Sequence, residues 1–298
     1  MNESRKRMIR GVLCTVIGSI FWGFSGTCGQ YLFTNYEISS MWLTCVRLLS
    51  SGIILCLMAL PKHKQAMVDI WKDRHDSILL VVFAIFGPTL CQYGYMTGIS
   101  YANAATITML QTLNLVIIMI IVCLQTRRKP DLRDRIALVL AMVGTYLLVT
   151  GGDPRHMVIS TGGLVWGLIQ AGAVTCYTLL PRSLLPKWGR PTVMGWAMLI
   201  GGVVINVFAR SWTMQVSLPW QGWLAMAAII LLGTVAAFSL FLQGVADIGA
   251  VKASMLTVLE PLSATFFSAV WLGTKFSATD LVGFACILAI IFLLAKEE

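Results

Sequence analysis

The chain has 298 residues, 57 % of them hydrophobic and 12 % charged, with a mean hydropathy of +0.80 and a formal net charge of +9. A soluble chain carries roughly 25 % charged residues, and here the apolar excess runs the whole length instead of filling one core, so the composition is that of a polytopic membrane protein. The positive charge argues for no nucleic-acid partner, because the basic residues fall in short stretches between apolar runs, the pattern that orients a protein in a lipid bilayer.

The N-terminal "MNESRKRMIR" resembles the start of a signal peptide. The apolar stretch behind it continues to Phe33, too long for a signal peptide's core, and reads as a retained first transmembrane helix. About 20 apolar residues span a hydrocarbon core of about 30 Å. On that basis we expect ten spans, near 10–33, 38–60, 77–98, 101–125, 134–150, 161–180, 191–210, 221–243, 248–273 and 277–295. The third and fourth are separated only by "SYAN" and the eighth and ninth only by "ADIGA", so both pairs must be tight hairpins. Strands are excluded because open sheet edges cannot face lipid. Counted over the segments between spans, eighteen Lys and Arg lie on the N-terminal side of the membrane and three on the other. Both termini are therefore expected in the cytoplasm. The segment 61–76, "PKHKQAMVDIWKDRHD", reads as a basic amphipathic loop at the inner surface, with Trp71 as an anchor.

The second half repeats the first at a constant offset of 146. "GPTLCQYGYMTG" (87–98) lies over "GTVAAFSLFLQG" (233–244), "MLQTLN" (109–114) over "MLTVLE" (255–260), and Asp134 over Asp280. The expected fold is thus all-α and integral to the membrane, with ten transmembrane helices as two five-helix repeats, 1–150 and 151–298. An odd number of helices per repeat inverts the second copy, a frequent design of secondary transporters.

These features carry a resemblance. The five-plus-five duplication, "IFWGFSG" (20–26), Arg47 in "CVRLLSSGIIL", "YANAAT" (101–106) and "LEPL" (259–262) together make the chain similar to the drug/metabolite transporter superfamily, EamA-type. The resemblance covers nearly the whole chain. It implies a central cavity among helices one to four and six to nine, with helices five and ten outside it and available for a homodimer contact. It implies a carrier in the cytoplasmic membrane of a prokaryote that exports small polar or amphipathic metabolites such as amino acids. Uptake of a small organic solute is the first alternative and lipid handling a second. The chain departs from the pattern at "WLGTKFS", where Thr274 follows the Leu-Gly that such proteins usually follow with an acid.

The residues that stand out are polar groups inside apolar runs. A charge at a helix centre costs about 2.5–3.5 kcal/mol on insertion scales and faces the protein interior or water. Glu260 and Arg47 are such charges. At 1.5 Å per residue, Arg47 lies roughly 12 Å from one membrane edge and Glu260 roughly 16 Å from the other, so their depths allow an ion pair. For Glu260 three readings stand open: a structural acid, a proton carrier that couples transport, or a ligand for a substrate ammonium group. Pro261 is expected to kink helix nine by freeing the carbonyl of Thr257. Asn103, Gln111 and Asn114 share a helix face, either for interhelical hydrogen bonds or for substrate. Gln92 and Tyr95 follow at i, i+3 on helix three, and Trp22 and Tyr177 could stack on an organic substrate. Gly23, Gly26 and Gly29, three apart, read as close-packing points.

No phosphate-binding loop, zinc-protease motif or nucleophile elbow occurs, so neither direct ATP use nor catalysis is expected. The eight cysteines lie within apolar runs without metal spacing, and His63, His75 and His156 are scattered through expected loops. No cofactor or metal is expected, proton coupling aside. The expected partners are the lipid bilayer and a small-molecule substrate.

Overall fold

A computed structural model of the chain describes residues 3–127, 129–153, 155, 157–249, 252–253 and 256–294. Among them there is no strand. The long helices are α1 (Glu3–Asn35), α2 (Ser40–Asp69), α3 (Arg74–Tyr101), α4 (Ala104–Thr126), α5 (Leu132–Thr150), α6 (Thr161–Leu179), α7 (Arg190–Ala209), α8 (Trp220–Ile248), α9 (Leu259–Leu272) and α10 (Ala278–Leu294). Seven of these, α1–α4 and α6–α8, are long and apolar enough to cross a membrane. α5 opens with Arg133, Asp134 and Arg135, which lower its hydropathy, α9 has 14 residues, and α10 is a shorter apolar helix of 17. The lengths follow from composition: in lipid every backbone group must find its partner within its own segment, and a helix is the way one chain segment does this.

One boundary differs from the expected ones, and one span is interrupted. α2 runs on to Asp69 instead of ending near 60, so most of the segment expected as a loop is helical. The chain bends at His63, whose backbone is non-helical (φ −129°, ψ 20°), two residues after Pro61, the residue that interrupts the hydrogen-bond ladder. His63 therefore lies inside a helix and His75 in the first turn of another, not in loops, while His156 lies outside the described residues. The ninth span, expected from 248, is helical at 252–253 and 256, turns at Thr257–Val258 and continues as α9 from Leu259. Gly249 breaks the chain behind α8 with a φ of +84°, and a turn at Thr257–Val258 immediately precedes α9.

The packing is pairwise. α2 lies along α7, α1 along α8 and α9, α3 against α6, α4 against α6 and α9, and α5 along α10. α3 and α8 each widen into a π-helical stretch, at Ile85–Thr89 and Ala228–Ala236. In α3 the widening contains Pro88, whose missing N–H disrupts ordinary α pairing. In α8 the hydroxyl of Thr234 donates to the carbonyl of Ile229, 3.1 Å away and five residues back. α5 and α10 start with the same device. Asp131 and Asp134 form a reciprocal capping box, and Ser277 and Asp280 form another, with hydrogen bonds of 2.8–3.1 Å.

One end of the bundle is held by charges. Arg10 donates twice to Asp247 at 2.7 and 2.8 Å, joining α1 to α8. Lys187, between α6 and α7, donates to Asp73 and Asp76 at 2.6 Å each, and the indole N–H of Trp188 donates to Asp76 at 2.7 Å. The ammonium of Lys187 holds the Asp73 carboxyl below the usual carboxylate range, and the same hydrogen bonds raise the pKa of Lys187. Asp73 therefore contributes above the ordinary carboxylate pKa and loses its contribution as pH falls. Lys187 contributes below the ordinary lysine pKa and loses its contribution as pH rises. Lys187 is exposed and Asp73 partly so, which leaves the ion pair between these two weak. Asp76 is buried and carries more. Asp76→Ala strands the Trp188 N–H and is expected to lower the melting temperature in detergent by a few degrees, whereas Lys187→Ala changes it little.

Candidate functional site

The polar residues singled out above meet where the helices are interrupted. α4 is broken at Thr112–Leu113, between Gln111 and Asn114, and α9 restarts at Leu259–Glu260 after the turn at Thr257–Val258. The carbonyl of Thr257, which Pro261 leaves without its usual partner, accepts the N–H of Glu260 at 2.9 Å. The expected kink is thus a local tightening that fixes the backbone under the carboxylate.

Glu260 is partly accessible, as are Gln111, Asn114, Gln92, Trp22 and Tyr177, although all lie well inside their helices. Gln111 donates from Nε2 to Glu260 Oε1 at 3.4 Å, joining α4 to α9. Its own Oε1 accepts from Gln170 Nε2 at 2.9 Å, which adds α6. Gln170 is only 1 % exposed, and its Nε2 also reaches Cys91 Sγ at 3.5 Å. The chain of amides ends on α3 and begins on the carboxylate.

Arg47 is 4 % exposed. The ion pair with Glu260 that their depths allow is not formed: no carboxylate lies within 4.0 Å of Arg47 among the described residues. The guanidinium turns instead to the π-helical stretch of α8. Nε donates to Thr234 Oγ1 at 3.1 Å and Nη2 lies 3.5 Å from the carbonyl of Gly233, while Nη1 is buried without a hydrogen-bond partner. Arg47 and Glu260 still sit close enough to couple electrostatically with each other, and with Tyr95 and Cys91. Arg47 and Glu260 thus each take neutral hydrogen-bond partners instead of each other.

The remaining expected residues fall into two groups. Tyr95 is buried, bonded to Thr108 Oγ1 at 2.8 Å, and packed on α1 at Gly26, where a Cβ would meet its hydroxyl. Trp22 and Tyr177 line one aromatic wall, since both lie against Phe238 of α8, with centroids 5.4 and 6.3 Å away. Asn114 and Gln92 make no side-chain hydrogen bond among the described residues, though the Asn114 carbonyl accepts from Thr175 at 3.5 Å. Asn103 does not share the site. It caps the start of α4, accepting from the N–H of Thr106 at 2.8 Å, because the helix begins after it.

Four residues were not anticipated. Phe238 and Phe241 flank Trp22, and the offset of 146 that places them over Gln92 and Tyr95 was the available signal. Gln170 stood as a lone amide in "WGLIQAGAV". Gln30 ties the end of the bundle at the α3–α4 turn: its Oε1 accepts from the Ala104 N–H at 2.9 Å and from Ser268 Oγ at 3.2 Å, and its Nε2 donates to Thr274 Oγ1 at 3.0 Å. One amide thus joins α1, α4 and α9, satisfying a donor that the first turn of α4 leaves free. None of the eight cysteines is in a disulfide, and the described residues contain no cluster able to hold a metal ion.

Comparison with known proteins agrees with this architecture. A family model described as the EamA-like transporter family matches residues 9–150 and again 161–296. The chain is 35 % identical over 298 residues to an uncharacterised inner membrane transporter, YicL, of Salmonella typhimurium, covering all of this chain and 98 % of that protein. It is 24 % identical over 279 residues to an uncharacterised transporter, YwfM, of Bacillus subtilis, covering 92 % of this chain and 89 % of that one. A protein of known crystal structure superposes with a TM-score of 0.62 at 14 % identity, over 94 % of this chain and 95 % of its own, which shows a shared fold. By the two family matches and the full-length relative, this chain is a multi-pass membrane protein that belongs to the EamA-like transporter family.

Proposed function

We propose that the protein is a secondary active transporter in the cytoplasmic membrane of a prokaryote, exporting small polar or amphipathic metabolites such as amino acids by alternating access. Ten crossings, arranged as two inverted repeats over 1–150 and 151–298, place both termini in the cytoplasm. Glu260 carries the coupling proton.

The observation that carries this reading is the repetition of irregular features at one offset. The starts of α3 and α8, and of α5 and α10, are 146 residues apart. So are the two capping boxes, and the two π-helical stretches overlap at the same offset. The break before Asn114 in α4 recurs before Glu260 in α9. The helix pairings survive the exchange of halves: α1 with α8 becomes α6 with α3, α1 with α9 becomes α6 with α4, and the pairs α2–α7 and α5–α10 map onto themselves. A regular helix repeats by chance, but a break and a bulge at matched sites support duplication. Interrupted helices whose freed backbone groups surround a mid-depth polar site are the pattern of carriers with inverted repeats. The tie at Gln30 supports a closed outer end, so that the site faces inward. The description of YicL as an inner membrane transporter supports the location.

Counterflow in liposomes tests the carrier function directly. Vesicles preloaded with one unlabelled compound from a panel of amino acids and small amines are diluted into its labelled form. Transient accumulation with at least one compound is expected. Its absence across the panel, with thermal stabilisation by lipids but by none of the soluble compounds, would overturn the reading in favour of lipid handling.

A further inference from the structure

We propose that Gln170 is the positioning residue for Glu260: by occupying the acceptor of Gln111 it commits Gln111 to donating to Glu260 Oε1, so that the proton of Glu260 is gained and lost through Oε2. The consequence for transport rests on the reading of Glu260 as the coupling acid. The hydrogen-bond chain itself does not.

A glutamine amide has two donors and one acceptor oxygen, and either end can face a carboxyl group. Gln111 is the last residue before α4 tightens at Thr112–Leu113, where the hydrogen bonds run three residues back. Its orientation is set from α6. Gln170 directs Nε2 at Gln111 Oε1 and at Cys91 Sγ, which occupies both of its N–H groups. Its own Oε1 is left buried without a hydrogen-bond partner, a cost that most glutamines avoid by turning. Gln170 packs against α3 at Gly94, where a Cβ would stand 3.3 Å from its Oε1. With Gln111 Oε1 turned to Gln170, its Nε2 is the end that faces the carboxyl group, 3.4 Å from Glu260 Oε1. The unprotonated oxygen of a carboxylic acid is the better acceptor, so the oxygen that faces a donor stays unprotonated and the proton sits on the other. The ionisable groups around this chain are Arg47 from α2 and Cys91 and Tyr95 from α3. None of them makes a hydrogen bond to Glu260 among the described residues, so Gln111 is its one fixed donor there.

The test reads the protonation of Glu260 directly. Purified protein in liposomes is titrated while the infrared carboxyl band that Glu260→Gln removes is followed. The variants are Gln170→Met, of similar length, Gln111→Leu, and the two combined. Gln170→Ala stands in if the Met variant does not elute as a single species. Losing a donor to the charged form favours the neutral form. Each single variant is therefore expected to move the midpoint upward by about half to one pH unit, and the double variant by no more than Gln111→Leu alone, because the two residues act in series. An unmoved midpoint in Gln170→Met beside a shifted one in Gln111→Leu would overturn the proposal, as would shifts that add. A series pattern in a protein whose transport ignores pH would support the positioning and overturn the coupling role of Glu260.

Discussion

Glu260→Gln is expected to abolish transport driven by a pH gradient while leaving exchange of substrate across the membrane intact. The amide has nearly the volume of the acid, and its Oε1 can still accept from Gln111 Nε2, so the hydrogen bond between α4 and α9 survives. What is lost is a group able to carry a proton. Stability does not fall, because the substitution removes a charge whose insertion costs about 2.5–3.5 kcal/mol. The measurement compares counterflow with gradient-driven accumulation in the same liposome preparation. If both activities and the yield of folded protein fall together, Glu260 is a structural acid and the coupling proposal fails.

The second large effect is expected at Gly23. A Cβ there would stand 2.5 Å from the carbonyl oxygen of Glu260 and 2.7 Å from the backbone nitrogen of Ala264, besides meeting Ser263 Oγ. The hydroxyl can rotate away, but the two backbone atoms cannot. Gly23→Ala must push α1 off α9 beneath the carboxylate, and overpacking of this kind costs about 1–3 kcal/mol. A lower melting temperature in detergent is expected, together with loss of transport out of proportion to that drop, since the displaced segment carries Glu260. Gly29→Ala is the control. Its Cβ would meet only the end of the Met96 side chain, at 3.1 Å from Sδ, which can move. Equal effects at the two positions would show that the glycines serve general packing and not the geometry under Glu260.

The helices were legible because each must satisfy its own backbone in lipid, which forces long apolar runs with charges at their ends. The duplication was read from matched glycines and acids that keep a register. The boundary that failed has a plain cause. Nothing in "ALPKHKQAMVD" distinguishes a helix that leaves the membrane and continues from one that stops, so the extension of α2 to Asp69 was read as a loop. The site was legible by depth and not by direction. Spacing along a helix places Arg47 and Glu260 at one level, but in helices apolar all round the azimuth has no sequence signal. Arg47 points at Gly233 and Thr234 because a π-helical widening, itself invisible in composition, offers a carbonyl and a hydroxyl there. Gln170 was passed over for the same reason: one amide in an apolar run says that a partner exists, not which one.

Coupling of substrate movement to a proton on Glu260 is the claim on which the proposed function rests. The most direct measurement uses purified protein in liposomes that enclose a pH-sensitive dye, with amino acids and small amines added one at a time. Coupling predicts a substrate-triggered proton flux with the compounds that give counterflow, and none from Glu260→Gln. Counterflow without any proton movement in the unaltered protein would contradict it.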